Sequence, residues 1–445
     1  MNAPVYNFLR YYGDSGILRG HMPGHKGMPT FERMADELGS VYKYDITEIS
    51  GADSLFEAEG IILESESNTA RLYGSGAAVF SAGGSTNCIQ AMLGAMKLEK
   101  RRIIAVRNVH RAFLNACALL DLDVEWIMPD YTSGILSGTL DICAVETVLS
   151  ETPNACLYVT SPDYTGRLAD ISALSEVCRR YGALLLVDNA HGAHLHFFPK
   201  SLHPIALGAD MCCDSAHKML PALTGAAVLH MADEKYRPVV KQTMSMVAST
   251  SPSYLVMMSL DLCNVYIEER IRRDIDVNLR YIHDLRLSLS DRLVFAEGEP
   301  FHITVKAAES GYNGNELAEL LRKNGAECEY SDSDTLILLM SPVSRAEDFS
   351  KLGEKLKNVL DTAERKVRRP VNIPPILPKR AMSIRDAAFA PFEDIPVENA
   401  EGRICASVKV PCPPAVPIAA SGEIIDENCI NIFKSYGISR VNVVK

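Results

Sequence analysis

Between residues 103 and 229 five short apolar runs recur, at 103–106, 156–160, 184–188, 211–213 and 226–229. Runs of that length, closed by polar or turn-forming residues, read as buried strands. The spacing changes between two of them: Ile171, Leu174, Cys178 and Tyr181 follow Asp170 at helical intervals and stop at Gly182. Alternating strands and helices predict an α/β fold whose mainly parallel sheet is flanked by helices on both faces. In such sheets ligands sit beyond the carboxyl ends of the strands. The residues that leave each run are therefore where chemistry is expected.

Those residues are chemically loaded. Arg107-Asn-Val-His110 follows the first run, Ser161-Pro-Asp-Tyr-Thr-Gly166 the second, Asp188-Asn-Ala-His191 the third and Ser215-Ala-His-Lys218 the fourth. A lone histidine is usually structural, but three histidines, an aspartate and a lysine at successive exits share one rim. Lys218 becomes an amine nucleophile where burial or neighbouring cations keep it neutral, and His217 would supply part of that environment. Upstream, Val79-Phe-Ser-Ala-Gly-Gly-Ser-Thr-Asn87 reads as a strand, a tight turn and a helix start, with Ile89, Met92, Leu93 and Met96 on the apolar side. Backbone N–H groups from Gly84 onward, with the hydroxyls of Ser85 and Thr86, would cradle a phosphate. Capping the helix is an equally good account of those two hydroxyls on this stretch alone. Asp188 without Lys218 would read as a strand-end carboxylate capping a turn.

Composition narrows the field. The 445 residues are 47% hydrophobic and 23% charged, as in a globular protein, and a formal net charge of -11 argues against nucleic acid or an anionic membrane as the main partner. The first twenty residues lack an apolar signal core and no later run is long enough to cross a membrane, so a cytoplasmic protein is expected. Twelve cysteines are scattered without paired metal spacing; they are expected to be reduced, and no metal site is expected. The expected organisation is an arm at 1–20, a large domain at 21–255 holding the site, a bridging helix at 256–292 and a small α+β domain at 293–365. A proline-rich linker and a C-terminal segment follow at 366–445.

A phosphate cradle, a carboxylate on a neighbouring strand and a lysine thirty positions later are the parts a pyridoxal 5'-phosphate site requires. Lys218 would hold the aldehyde, Asp188 would keep the pyridine nitrogen protonated, and Ser85, Thr86 and Ser215 would bind the phosphate. His110 would lie over the ring, with His191 approaching from elsewhere in the site.

In this order the motifs HMPGHKG at His21, DITEISGADSL at Asp45, GGSTNCIQAM at Gly83, RNVHRAF at Arg107, TSPDYTG at Thr160, VDNAHGAHLHF at Val187, DSAHKMLPALTGAAVLH at Asp214, STSPSY at Ser249 and EGRICASVKVPCPPAVP at Glu401 resemble the bacterial ornithine/lysine/arginine decarboxylases. The resemblance implies a fold type I pyridoxal phosphate enzyme, with a seven-stranded-type sheet and a smaller α+β C-terminal domain. It implies decarboxylation of a basic amino acid to an amine and carbon dioxide, with Lys218 as the Schiff-base lysine, Asp188 as the pyridine partner, His110 stacked on the ring and His217 beside the phosphate ligands. It also implies a homodimer, or a dimer of dimers, in which Thr250 or Ser249 reaches the phosphate of the neighbouring subunit. The chain looks like the short form of the family, without the N-terminal wing. Locally it departs from the pattern: Asn189 stands where relatives often have an acid, and Cys412, Ala415 and Ser421 alter the C-terminal proline motif. These changes leave the choice among arginine, lysine and ornithine open. They also keep two alternatives in view: another activity on the same fold, such as an aminotransferase or a lyase, and a cofactor-binding paralogue with impaired turnover.

Overall fold

The structure is a computed structural model that describes residues 1–445 except 20, 24, 29–37, 369, 371–372 and 408–415. The altered positions Cys412 and Ala415 lie outside the described residues.

One seven-stranded sheet is built from β1 (Ala77–Ser81), β2 (Arg102–Val106), β3 (Val124–Ile127), β4 (Ala155–Thr160), β5 (Leu184–Asp188), β6 (Met211–Asp214) and β7 (Ala227–Met231). The strands run in the order β1-β7-β6-β5-β4-β2-β3. The sheet is mainly parallel, as the alternation of strands and helices predicts, but β7 pairs antiparallel with both β1 and β6. The five expected runs are all strands. The partly polar edge strand β3 was not expected, because its alternation is too short to stand out.

The chain divides into two compact units, residues 1–98 with 186–273 and residues 99–185 with 274–445. In the first, the expected arm contains helix α1 (Pro4–Asp14); the sequence reads as helical from about Ser54 to Tyr73, but α2 (Ile61–Tyr73) begins later. The reason is Asp53, whose carboxylate accepts the amide N–H groups of Ser54, Glu59, Gly60 and Ile62 and holds the intervening residues as a loop. Helix α3 (Gly84–Leu98) is buried at every residue from Cys88 to Met96, so it is a core helix rather than an amphipathic cover. The stretch expected to be one bridging helix is two, α4 (Tyr254–Glu269) and α5 (Ile271–Leu287), interrupted at Arg270.

In the second unit, Phe113 packs on Trp126 and Tyr158, with ring centroids 5.9 and 4.4 Å away. The strands His302–Lys306, Thr335–Leu339 and Tyr330–Ser331 form a small antiparallel sheet beside helices Gly314–Lys323 and Ala346–Thr362. The C-terminal segment carries its own three-stranded sheet, Phe392–Pro396, Arg440–Val444 and Cys405–Ser407, with helix Glu427–Ser435. Among the described residues no helix is long and apolar enough to cross a membrane.

Candidate active site

The first unit carries most of the expected site residues, at the carboxyl ends of β5 and β6 and at the start of α3. Asp188 ends β5 and is only 2% exposed. Its Oδ1 accepts the Ala190 N–H at 3.2 Å and the Cys213 thiol at 3.6 Å. Burial pushes the Cys213 thiol well up, so it stays protonated and acts as a donor. Strand β6 leads directly into Ser215 and the single-turn helix Ala216–Met219, which carries His217 and Lys218. Lys218 Nζ lies 2.9 Å from Nε2 of the buried His191. The His217 Nδ1–H donates to the Ala226 carbonyl at 2.8 Å. Burial, helped by the Lys218 charge, holds the imidazole below its ordinary value despite that carbonyl.

The expected phosphate cradle sits at the start of α3. Ser215 Oγ donates to Ser85 Oγ at 2.8 Å, joining two of the expected phosphate ligands. Gly84 adopts φ +72°, and its N–H is held by the Gly225 carbonyl at 2.7 Å. A Cβ there would find open space, so glycine is required by the backbone conformation. Thr86 lies on the same first turn and is exposed. A long helix opening with two hydroxyls and a glycine turn fits a phosphate group by charge and by donor supply.

Thr250 is exposed in the loop before α4. His110 belongs to the second unit, where it caps the helix Arg111–Leu120, its Nδ1 accepting the Ala112 N–H at 3.1 Å. That bond uses the Nδ1 lone pair and places the ring proton on Nε2.

Behind Asp188 lies a network that the motifs did not predict. Side chains alternate across a sheet, so the pairings Asp188↔Cys213 and Cys212↔His230 put Asp188 on one face and Cys212, Asp214 and His230 on the other. Asp214 is 1% exposed. Asn189 Nδ2 donates to its Oδ1 at 2.6 Å, while His203 Nε2 and His230 Nε2 approach Oδ2 at 3.1 and 3.3 Å. Burial pushes Asp214 up, but the two imidazoles outweigh it and hold the carboxyl well below the usual range. Burial also lowers His230.

His203, Asp214 and His230 bring their ligand-type atoms within 4.8 Å of one another. Three donors fall short of a tetrahedral set, and the Nδ1 atoms of both rings are buried without a hydrogen-bond partner. Metal-bound imidazoles are normally oriented through that second nitrogen. The cluster is a hydrogen-bonded charge network that ties Asn189, next to Asp188, to Asp214, next to Ser215.

The second unit has its own buried pair. Arg107 leaves β2, and its Nη2 donates to Glu423 Oε2 at 2.7 Å with side-chain exposures of 3% and 4%. The guanidinium lies 4.6 Å from the Trp126 ring centroid.

Residues 3–307 match the family described as Orn/Lys/Arg decarboxylase, major domain, and residues 368–436 match its C-terminal domain. The arginine decarboxylase of Bacillus subtilis is 29% identical over 97% of this chain and 93% of its own. That of Halalkalibacterium halodurans is 28% identical over 96% and 91%. The fold is shared with the constitutive lysine decarboxylase of E. coli, with a TM-score of 0.78 at 18% identity over 100% of this chain and 82% of that one. It is shared equally with lysine decarboxylase A of Pseudomonas aeruginosa, with a TM-score of 0.81 at 17% identity over 99% and 80%. With a family match running through most of its length, the chain belongs to the Orn/Lys/Arg decarboxylase family.

Proposed function

We propose that this enzyme decarboxylates a basic L-amino acid, with L-arginine first among the three candidates, using pyridoxal 5'-phosphate held in the first unit. The observation that carries the proposal is the cluster of Lys218, His191, Asp188, Ser215 and Ser85 at adjoining strand exits and one helix start. The curated arginine decarboxylases that match nearly the whole chain favour arginine.

When bound, the cofactor supplies an electron sink for charge left at the substrate α-carbon. Lys218 is the amine that holds its aldehyde, and His191 Nε2 accepts a hydrogen bond from that amine and orients it. Asp188, a buried carboxylate held by Ala190 and Cys213, would keep the ring nitrogen protonated. Ser85, Thr86 and Ser215 bind the phosphate at the positive end of α3. His217, fixed to the Ala226 carbonyl, lines the same turn. His110 is assigned to the ring face. Exposed Thr250 fits a contact across a homodimer, in which each site takes a residue from its neighbour. A cytoplasmic location suits such a metabolic enzyme.

The test is to incubate purified protein and added cofactor with arginine, lysine and ornithine, and to identify products by mass spectrometry. Agmatine from arginine is expected; no amine from any of the three overturns the proposal. Lys218→Ala should abolish the borohydride-reducible cofactor adduct. Asp188→Asn should bind cofactor but lose at least about a hundredfold in turnover, since a neutral partner does not hold the ring proton.

A further inference from the structure

The loop Arg107-Asn-Val-His110 joins β2 to the helix that His110 caps, and its nearest charged anchor comes from the other end of the chain. We infer that Glu423 is a positioning residue for His110, acting through Arg107 to fix the loop that presents the imidazole. This rests on the assignment of His110 to the cofactor ring face.

The loop has one firm side and one open side. On the firm side, the Arg107 N–H donates to the Ile127 carbonyl at 2.9 Å, its guanidinium stacks on Trp126, and its Nη2 reaches Glu423. On the open side, Val106 and Asn108 border a cavity of about 220 Å³ shared with Thr160, Asp163 and Arg167. Asn108 Oδ1 is buried there without a hydrogen-bond partner. Packing alone therefore leaves the loop unsupported toward the cavity, and the Arg107 side chain supplies the opposing hold.

Glu423 is itself built in. Its Oε2 also accepts the Ala420 N–H at 2.7 Å, and its carbonyl accepts the Cys405 N–H at 2.8 Å. The preceding Gly422 has φ +89°, and a Cβ there would sit 2.5 Å from the Met382 carbonyl oxygen. Only glycine makes that turn, and the turn aims Glu423 at Arg107. A Gly-Glu pair far from the other site residues in sequence thus holds the histidine loop from outside the catalytic cluster. Because Arg107 Nη1 is buried without a partner, Glu423 is the guanidinium's one anionic contact among the described residues.

The experiment uses Glu423→Ala, which removes the acceptor, and Glu423→Gln, which keeps one without charge. Trp126 is the single tryptophan, so its emission reports the Arg107 contact in cofactor-free protein. Glu423→Ala should shift that emission, speed hydrogen exchange of the Ala112 amide about tenfold or more, and weaken pyridoxal phosphate binding by a similar factor, as expected for loss of a charge-assisted hydrogen bond. It should also diminish the visible circular dichroism of the bound cofactor. Glu423→Gln should restore each within about threefold, since a neutral acceptor retains much of the bond. If Glu423→Ala does not fold, Arg107→Lys, which keeps the charge but loses the planar fork, serves in its place. Unchanged Trp126 emission and Ala112 exchange overturn the inference. So does a loosened loop with unchanged cofactor binding and dichroism. A wild type that binds no pyridoxal phosphate would instead defeat the cofactor assignment, while the emission and exchange results would stand on their own.

Discussion

Asp214 and Glu423 are both carboxylates sealed from solvent, one in each unit; burial pushes both up, yet their net shifts are opposite. Asp214 has an amide and two imidazoles beside it, and it is held below the usual carboxylate range. Burial pushes Glu423 up, and the Arg107 guanidinium at 2.7 Å pulls it down without prevailing. The difference lies in how the oxygens are used. Asp214 has donors on both, whereas the guanidinium and the Ala420 N–H meet Glu423 on Oε2 alone. Partners on both oxygens hold a buried charge better than one ion pair that must repay the desolvation of both partners. The two units thus hold a buried carboxylate in two ways: several partners around Asp214, and at Glu423 an ion pair in which burial prevails.

The largest effect is expected at Asp214. Asp214→Ala leaves two imidazoles and the Asn189 amide unmatched in a closed core, and should cost about 3–5 kcal/mol of unfolding free energy, read by urea denaturation. A loss under about 1 kcal/mol would mean that the network contributes no more than packing. Next is Asn189→Asp, which puts an acid where the family resemblance implies one. A second carboxylate at hydrogen-bond distance from Asp214 cannot share its ionised state. The variant should lose about 1.5–3 kcal/mol at neutral pH, the worth of a hydrogen bond to a charged group, and regain stability as pH falls and one of the two takes up a proton. A variant as stable as wild type at neutral pH would show that Asn189 is not matched to an ionised Asp214.

Asn189 also shows where the sequence stops being legible. Taken along the chain, it is an amide where the resemblance implies an acid, beside the proposed pyridine partner Asp188. In the fold it donates to Asp214, so negative charge is present behind Asp188 but on the next strand. Strand runs and their exits were readable because periodicity and turn residues are local signals. The pairing that puts His230 opposite Cys212, and so on the Asp214 face, is not local, and neither is the approach of His203 from its own loop. A hint was available: Cys212 and Asp214 are two apart and must share a face, opposite to Cys213 and Asp188. Nothing comparable joined Arg107 to Glu423, which are 316 positions apart. The Asp53 loop was missed for another reason. Residues 54–60 continue the helical pattern, and only the capture of their amides by one carboxylate keeps them out of the helix.

The smallest effect, and the sharpest on the sign of the comparison, concerns pH. Glu423 has a folded-state pKa above its unfolded value, so the folded protein binds this proton more tightly than the unfolded chain. Its contribution to stability is therefore fully present below the ordinary glutamate value of about 4.3 and is lost as pH rises through the raised value. Asp214, with its folded pKa depressed, contributes stability above the unfolded value of about 3.9 and loses it as pH falls. Glu423→Gln is neutral at every pH and should unfold within about 1 kcal/mol of wild type near pH 7. The wild-type minus variant difference should then turn in favour of wild type as the medium is made acidic. Subtracting the two melting profiles cancels the other carboxylates, so the slope belongs to Glu423. A difference that moves against wild type on acidification would show that Arg107 outweighs burial after all, and that the two carboxylates are stabilised by the same means.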